Sequence, residues 1–236
     1  MTQATIAPAE TFTLRPYTAQ CHVISDEGRH AVIGVSPGNS FFSAQRLHDL
    51  ARWGLEHFEQ VDFVYTDLHV AEMYEALGYR PEDARRKAVK NLRGVRAKVT
   101  GAATGADPGG RRLRARPMSA LTGNAAYQQL YRRVHDALET DADVRATCDK
   151  LAEIFLAGKV EPAAISEQHK RVCRDYVCAE VPLFLDTPAI LGVSSSLNCY
   201  HQALPLADLL YARGSGLRAS RNQGHGILIA AEGARP

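Results

Sequence analysis

The chain has 236 residues, 45% apolar and 23% charged, with a formal net charge of +2. That length fits one domain with a core of its own, independent of metal or disulfide staples. The composition is that of a soluble globular protein, and no apolar run reaches the roughly 18 residues that would span a membrane.

Five cysteines (Cys21, Cys148, Cys173, Cys178 and Cys199) form no C-x-x-C pair and no zinc-ligand spacing, and their odd number argues against a disulfide framework. Cys173 and Cys178 lie in an apolar helical stretch and read as buried thiols. The opening MTQATIAPAETFTLRPYT lacks a basic-then-apolar signal segment, so a reducing, cytoplasmic setting is expected. Residues 1–20, polar and Pro/Ala-rich at their start, read as a flexible tail ahead of a single domain at 21–236.

The apolar run 30–35 ends at small residues and reads as a buried strand leading into a loop. Ser43 is a candidate N-cap for a helix to about Glu59, with Leu47, Leu50, Ala51, Leu55 and Phe58 on its apolar face. A second buried strand covers 61–65. Strand, loop, helix and strand at this spacing make a βαβ unit, which predicts an α/β fold with a mostly parallel, Rossmann-like sheet. A helix over 81–99 follows, then a glycine-rich segment at 101–110 that reads as a flexible surface loop. Further expectations are a strand over 113–118, a charged helix over 123–157 stopped by Gly158, and a helix over 165–180 ended before Pro182. Strands at 189–193 and 226–230 complete the pattern.

Gly34-Val35-Ser36-Pro37-Gly38 satisfies G-x-S-x-G, the nucleophile-elbow pattern of α/β-hydrolases. Small neighbours let the chain turn off a strand and raise the serine at the strand's carboxyl end. The same residues also make an ordinary turn. A hydrolase triad could be drawn with Asp186 and either His201 or His225, although that fold builds several strands before its nucleophile and here the serine follows little more than one.

On the 81–99 helix, Arg85, Arg86, Lys87, Lys90, Arg93, Arg96 and Lys98 crowd together, while Ala88, Leu92, Val95 and Val99 form the buried stripe. No acidic residue lies between Asp83 and Asp107, and Arg111, Arg112, Arg114 and Arg116 follow. Uncompensated like charge of this kind suits a polyanion. RNP-type aromatics and a GXXG clamp are missing, so contact with a nucleic-acid backbone is the expectation.

Tyr176 and Glu180 stand four apart on one helix face, with Glu180 among Cys178, Ala179, Val181, Pro182, Leu183 and Phe184. A carboxylate there is either paired or raised in pKa, and suited to proton transfer. The run 194–201 then gathers three serines, Asn198, Tyr200 and His201 after an apolar stretch, as a pocket lining or a turn.

Together these segments resemble the cyclodipeptide synthases. The matching stretches are HAVIGVSPGNSFF at 30–42, the basic helix after EMYEALGY at 72–79, YVCAEVPL at 176–183 and SSLNCYH at 195–201. They run in the family's order from about residue 20 to 230, and Asn39, Tyr200 and His201 match the combination marking one of its two main subgroups. The resemblance implies a single Rossmann-like domain similar to the catalytic domains of class I tyrosyl- and tryptophanyl-tRNA synthetases, and an aminoacyltransferase that joins amino acids from two aminoacyl-tRNAs into a diketopiperazine. No His-Ile-Gly-His or Lys-Met-Ser-Lys-Ser type signature is present, in keeping with a user of charged tRNA rather than a maker of it.

Carried over by resemblance, Ser36 receives the first aminoacyl group as an ester in a ping-pong scheme. Tyr176 and Glu180 hold its α-amino group, Tyr200 assists proton movement, and Asn39 and His201 support the serine loop and Tyr200. Tyr127 matches a further pocket tyrosine. Val32, Gly34, Met118, Leu183 and Asn198 line the first aminoacyl pocket, and the basic helix binds the first tRNA's acceptor stem. Many relatives with hydrophobic products carry an aliphatic residue where Asn198 stands, so a polar or smaller first residue is expected rather than Phe or Leu. The resemblance also implies a monomer without metal or organic cofactor, DNA or membrane partner, whose product downstream tailoring enzymes could modify. Two other readings use the same residues, a serine hydrolase acting through Ser36 and a non-catalytic RNA-binding module.

Overall fold

The computed structural model describes residues 12–157 and 159–231. Six strands form one sheet in the order β1-β6-β5-β2-β3-β4. They are β1 (Phe12–Pro16), β2 (His30–Val35), β3 (Gln60–Tyr65), β4 (Leu113–Pro117), β5 (Ser196–Tyr200) and β6 (Gln223–Ala230). Only β1 runs antiparallel to its neighbour; the other four pairings are parallel. β2 and β3 are buried along nearly their whole length, as strands covered by helices on both faces must be.

The helices are α1 (Ala19–Glu27), α2 (Ala44–His57), α3 (Val70–Ala76), α4 (Pro81–Ala106), α5 (Ala125–Thr140), α6 (Ala142–Leu156) and α7 (Glu167–Leu191). One apolar cluster joins β1, β2, β3 and β5 to α2 and the far part of α4. A second lies on the opposite face, beneath α5, α6 and α7. Ser43 caps α2 as its position suggests, accepting from the Arg46 amide.

Several expected boundaries move. Of the expected tail, residues 12–16 are β1, which zips onto β6, and Thr18 caps α1; residues 1–11 lie outside the described residues. Phe12 is buried edge-on against Trp53, with ring centroids 6.3 Å apart, and this anchor outweighs the local polar composition. The glycine-rich segment after Val99 is no loop as far as Ala106. There α4 continues, because Val99, Ala102 and Ala103 are buried against the α2 side of the core. That burial outweighs the ~1 kcal/mol that each helical glycine costs. The true loop begins at Asp107, whose carboxylate accepts from the Arg112 and Leu113 amides.

The expected long helix after Gly123 is two helices, broken at Asp141, whose side chain caps α6 at the Asp143 and Val144 amides. Gly158 lies outside the described residues. Pro182 does not end α7, which continues through Pro182 and Pro188 to Leu191, so the strand expected at 189–193 is the last turn of this helix. The strand itself is β5, at Ser196–Tyr200, and β6 begins at Gln223 rather than Gly226.

The prolines are tolerated because the backbone groups around them find other partners. Asp186 leaves helical geometry at φ −164° and ψ 68°. Pro188 cannot donate to the Phe184 carbonyl; the Tyr211 hydroxyl does so at 2.9 Å. The Thr187 amide donates to Gln223 Oε1 at 2.8 Å, and the Ser220 amide to the Leu185 carbonyl at 2.7 Å. This break holds the site-bearing half of α7 against β6 and the segment after β5. Among the described residues, no helix is long and apolar enough to cross a membrane. All five cysteines are buried and free.

Tyr211→Phe is expected to destabilise the fold by about 1–2 kcal/mol, since the Phe184 carbonyl loses its donor. Urea denaturation should show a lower midpoint at unchanged slope.

Candidate active site

From β2 the chain winds one way to β3 and β4, then returns to the other side of β2 for β5 and β6. The winding reverses between the carboxyl ends of β2 and β5, the crevice in which open α/β sheets place ligands. Ser36 directly follows β2 and Tyr200 ends β5. Their hydroxyls lie 3.1 Å apart. Gly34 sits beneath them, and a Cβ there would stand 3.8 Å from the Tyr200 ring.

The serine loop is tied down from both sides. The Asn39 amide donates to the Ser36 carbonyl at 3.3 Å, and Asn39 Oδ1 accepts from the Phe41 amide at 2.9 Å. Asn39 Nδ2 donates to His201 Nε2 at 3.0 Å, and the His201 ring stacks on Phe41 at 4.2 Å between centroids. Burial holds His201 below its usual pKa, with the nearby Arg46 charge acting in the same direction. A neutral ring is what acceptance from an amide requires. Gly38, at φ +78°, brings the loop against α4, where a Cβ would meet the Asn91 amide at 3.2 Å.

Tyr176 and Glu180 project from α7 towards the same crevice, and Thr66, which follows β3, completes the group. The Thr66 hydroxyl donates to Glu180 Oε1. Tyr176 lines the same cavity as Ser36, Glu180 and Tyr200. Burial raises the Glu180 pKa, while the Thr66 bond and the nearby Tyr176 hydroxyl pull it back. Burial likewise raises Tyr176 and Tyr200, which stay protonated and able to donate. Among the described residues no basic side chain forms an ion pair with Glu180, so this carboxylate is surrounded by hydroxyls and lacks a cation. Tyr127, expected as a further pocket tyrosine, donates from its hydroxyl to the Ala179 carbonyl at 2.8 Å and braces α7.

Two cavities meet at Ser36. The smaller, about 70 Å³, is lined by Val32, Gly34, Met118, Leu183 and Asn198, with Thr66, Glu180 and Tyr200. Asn198, only 3% exposed, is the one amide side chain among the residues lining this cavity. The larger, about 640 Å³, opens from Ser36 and Tyr176 towards Leu151, Ile154 and Phe155 on α6. An open groove of about 930 Å³ runs on from it along α4, lined by Arg86, Lys87, Lys90 and Lys98. Arg85, Arg93 and Arg96 are exposed on the same helix but do not line that groove. Arg86 pairs with Asp83, and Lys98 Nζ donates to the Phe42 carbonyl at 2.6 Å.

The hydrolase triad is absent. His201 bonds Asn39, His225 Nδ1 lies 3.0 Å from the Asn198 carbonyl, and the Asp186 carboxylate accepts from the Ala189 amide. Among the described non-glycine residues only His69 has a positive φ, so Ser36 does not sit on a strained elbow. No group of three or more His, Cys, Asp or Glu among the described residues is placed to hold a metal ion.

Thr66 and Phe41 escaped the sequence reading. Thr66 carries one available signal, its place directly after a buried strand, where such sheets present functional groups.

A family model for cyclodipeptide synthases matches residues 12–230. The cyclo(L-tyrosyl-L-tyrosyl) synthase of Mycobacterium tuberculosis is 62% identical over 220 residues, which cover 93% of this chain and 76% of that one. The cyclo(L-leucyl-L-phenylalanyl) synthase of Streptomyces noursei is 32% identical over 207 residues, 87% of each chain. A solved Mycobacterium tuberculosis structure, described as demonstrating that cyclodipeptide synthetases are related to type I tRNA synthetases, superposes with a TM-score of 0.87. It is 61% identical and covers 94% of each chain.

Removing the Thr66 donor should lift the Glu180 pKa further. If catalysis needs the carboxylate, the acid limb of the rate profile moves to higher pH in Thr66→Val. Loss of one hydrogen bond to a charged group predicts a fall of about tenfold or more in turnover. Thr66→Ser should restore both, and a pH–rate series on the three proteins checks it.

Proposed function

The chain belongs to the cyclodipeptide synthase family, tRNA-dependent enzymes that form cyclic dipeptides, and from that premise we propose that it joins two tyrosyl groups through an ester on Ser36. The observation that carries this reading is the Ser36–Tyr200 hydroxyl pair beside a part-buried carboxylate without a cation. The chemistry needs a nucleophile for an acyl ester and an anion for the α-ammonium of the amino acid it carries. Both stand at the mouth of one small cavity.

In this reading Ser36 Oγ attacks the carbonyl of the first aminoacyl-tRNA, and the tRNA leaves as its free terminal hydroxyl. Tyr200, 3.1 Å from the nucleophile, and Tyr176 relay the serine proton towards that leaving oxygen. Glu180 holds the α-ammonium as a carboxylate. Because burial raises its pKa, it can also accept the ammonium proton and free the amine. A second aminoacyl transfer then makes a dipeptidyl ester, whose free amine closes the ring on the ester carbonyl. Each peptide bond replaces an ester that arrived activated, so positioning is the enzyme's main task. The larger cavity on the α6 side of Ser36 offers the incoming aminoacyl group its place.

Tyrosine is favoured by two things. The Mycobacterium tuberculosis relative is a cyclo(L-tyrosyl-L-tyrosyl) synthase. Within this chain, the Asn198 amide lining the small cavity can bond a phenol, whereas a phenyl or alkyl group offers it no partner. The exposed cations of α4 suit the phosphates of the acceptor stem, as the uncompensated charge of the helix suggests.

Wild-type protein incubated with radiolabelled tyrosyl-tRNA should retain label as an alkali-labile ester, and Ser36→Ala should retain none. Expression in a bacterium should release cyclo(Tyr-Tyr) into the medium, with Ser36→Ala lowering it by about a thousandfold or more. Product without label would remove the covalent step. Rings of Leu or Phe alone would remove the tyrosine assignment. Asn198→Leu should shift the product mixture from Tyr towards Phe, read as the Tyr:Phe ratio by mass spectrometry.

A further inference from the structure

The groove along α4 holds two tyrosines as well as its cations. Phosphates are neutralised by lysine and arginine alone, so the aromatic rings require a separate explanation. Tyr79, in the link between α3 and α4, is 40% exposed. Its amide donates to the Tyr74 carbonyl at 3.1 Å, and the two rings meet edge-to-face with centroids 5.6 Å apart. Lys87 Nζ lies 4.1 Å from the Tyr79 ring centroid and 5.2 Å from that of Tyr74, and donates to the Tyr79 hydroxyl. Tyr74 is fixed in turn by Asn91, whose Nδ2 donates to its hydroxyl at 2.9 Å. A half-exposed ring set among cations is the arrangement on which unpaired bases stack.

The position of these rings gives them a direction. Gly38, Asn39, Ser40, Tyr74 and Asn91 line both the α4 groove and the cavity that opens from Ser36. One wall therefore runs unbroken from Tyr79, past Tyr74 and Asn91, to the nucleophile loop. The acceptor end of any tRNA is a short unpaired strand whose last nucleotide carries the amino acid. A strand delivering that ester to Ser36 from the α4 side must cross this wall.

Resting on the reading of Ser36 as the acyl acceptor, we infer that this wall holds the unpaired 3′ end of the first aminoacyl-tRNA, with one base stacked on Tyr79. The exposed Arg and Lys side chains of α4 take the phosphates of the duplex behind it. The sequence pattern pointed to backbone contact alone, because Tyr74 and Tyr79 resemble no RNA-reading motif. Only the packing of α3 on α4 brings them beside Lys87 and in line with the serine loop.

The test uses an acceptor-stem RNA hairpin with 2-aminopurine in its unpaired 3′ tail, so that stacking is read without acyl transfer. Wild-type protein should quench the fluorescence on binding. Tyr79→Ala should lose the quench and bind about tenfold more weakly, within the range measured for base–aromatic stacking. Tyr79→Phe, which keeps the ring and removes the bond to Lys87, should behave as wild type. The slope of log affinity against log salt should be unchanged in Tyr79→Ala and reduced by about one unit in Lys90→Ala. Undiminished quenching in Tyr79→Ala overturns the inference. So does a loss in Tyr79→Phe equal to that in Tyr79→Ala, or a reduced salt slope in Tyr79→Ala, since either assigns the effect to Lys87. Label on Ser36 with no dependence on Tyr79 overturns it while leaving the covalent reading standing. Tyr79-dependent quenching without label on Ser36 supports it and removes the covalent step instead.

Discussion

The parallel pairing of β2 with β5 is the constraint on which the site depends. Ala31, Val32 and Ile33 lie beside Leu197, Asn198 and Cys199. That register sets the chain leaving β2 next to the chain leaving β5 and so brings together two hydroxyls separated by 164 residues of sequence. Side chains alternate between sheet faces with a period of two, so a slip of one residue would turn Asn198 out of its cavity and Tyr200 away from Ser36. The register is held by apolar burial, with Leu197 and Cys199 in one cluster and Val32 in the other. Core packing and reactive geometry are here the same contact.

Around that pairing, polarity is distributed by depth. In the crevice Glu180 is a part-buried carboxylate without a cation, held by the Thr66 hydroxyl. At the rim the excess is reversed, with Arg86, Lys87, Lys90 and Lys98 along the groove. A substrate with a positive end and a polyanionic tail would be oriented by this field before any contact forms. The larger cavity lies between the two regions and is bounded on the far side by apolar residues of α6. The break in α7 fits the same scheme: Tyr176 and Glu180 precede it, and their half of the helix is braced by Tyr127 at the Ala179 carbonyl.

Much of this was legible in the sequence, for identifiable reasons. β2 and β3 were readable because buried parallel strands are continuous apolar runs, and α2 because Ser43 and a periodic stripe mark it. Ser36, Asn39, Tyr176, Glu180, Tyr200 and His201 stand in short segments whose order carries the resemblance, and the structure brings all six to one crevice. What was misread depends on distant partners. β1 exists because β6, at the other end of the chain, offers an edge. α4 runs through Gly101 and Gly105 because of its buried face, and α7 through two prolines because Tyr211 and Gln223 satisfy its backbone. Thr66 and the Tyr74–Tyr79 pair were overlooked for the same reason: neither lies in a motif, and each is defined by the element packed against it.

The sheet order also governs when the enzyme comes into being. Among the described strands β5 and β6 come last in sequence, and β1, the first, pairs with β6. Contacts of such long range form late in folding. A nascent chain still lacking residue 200 has Ser36 but not Tyr200, and its sheet stops at β2. Until β5 has joined the sheet Ser36 has no hydroxyl partner, so the pair of hydroxyls forms only with the completed β2–β5 pairing.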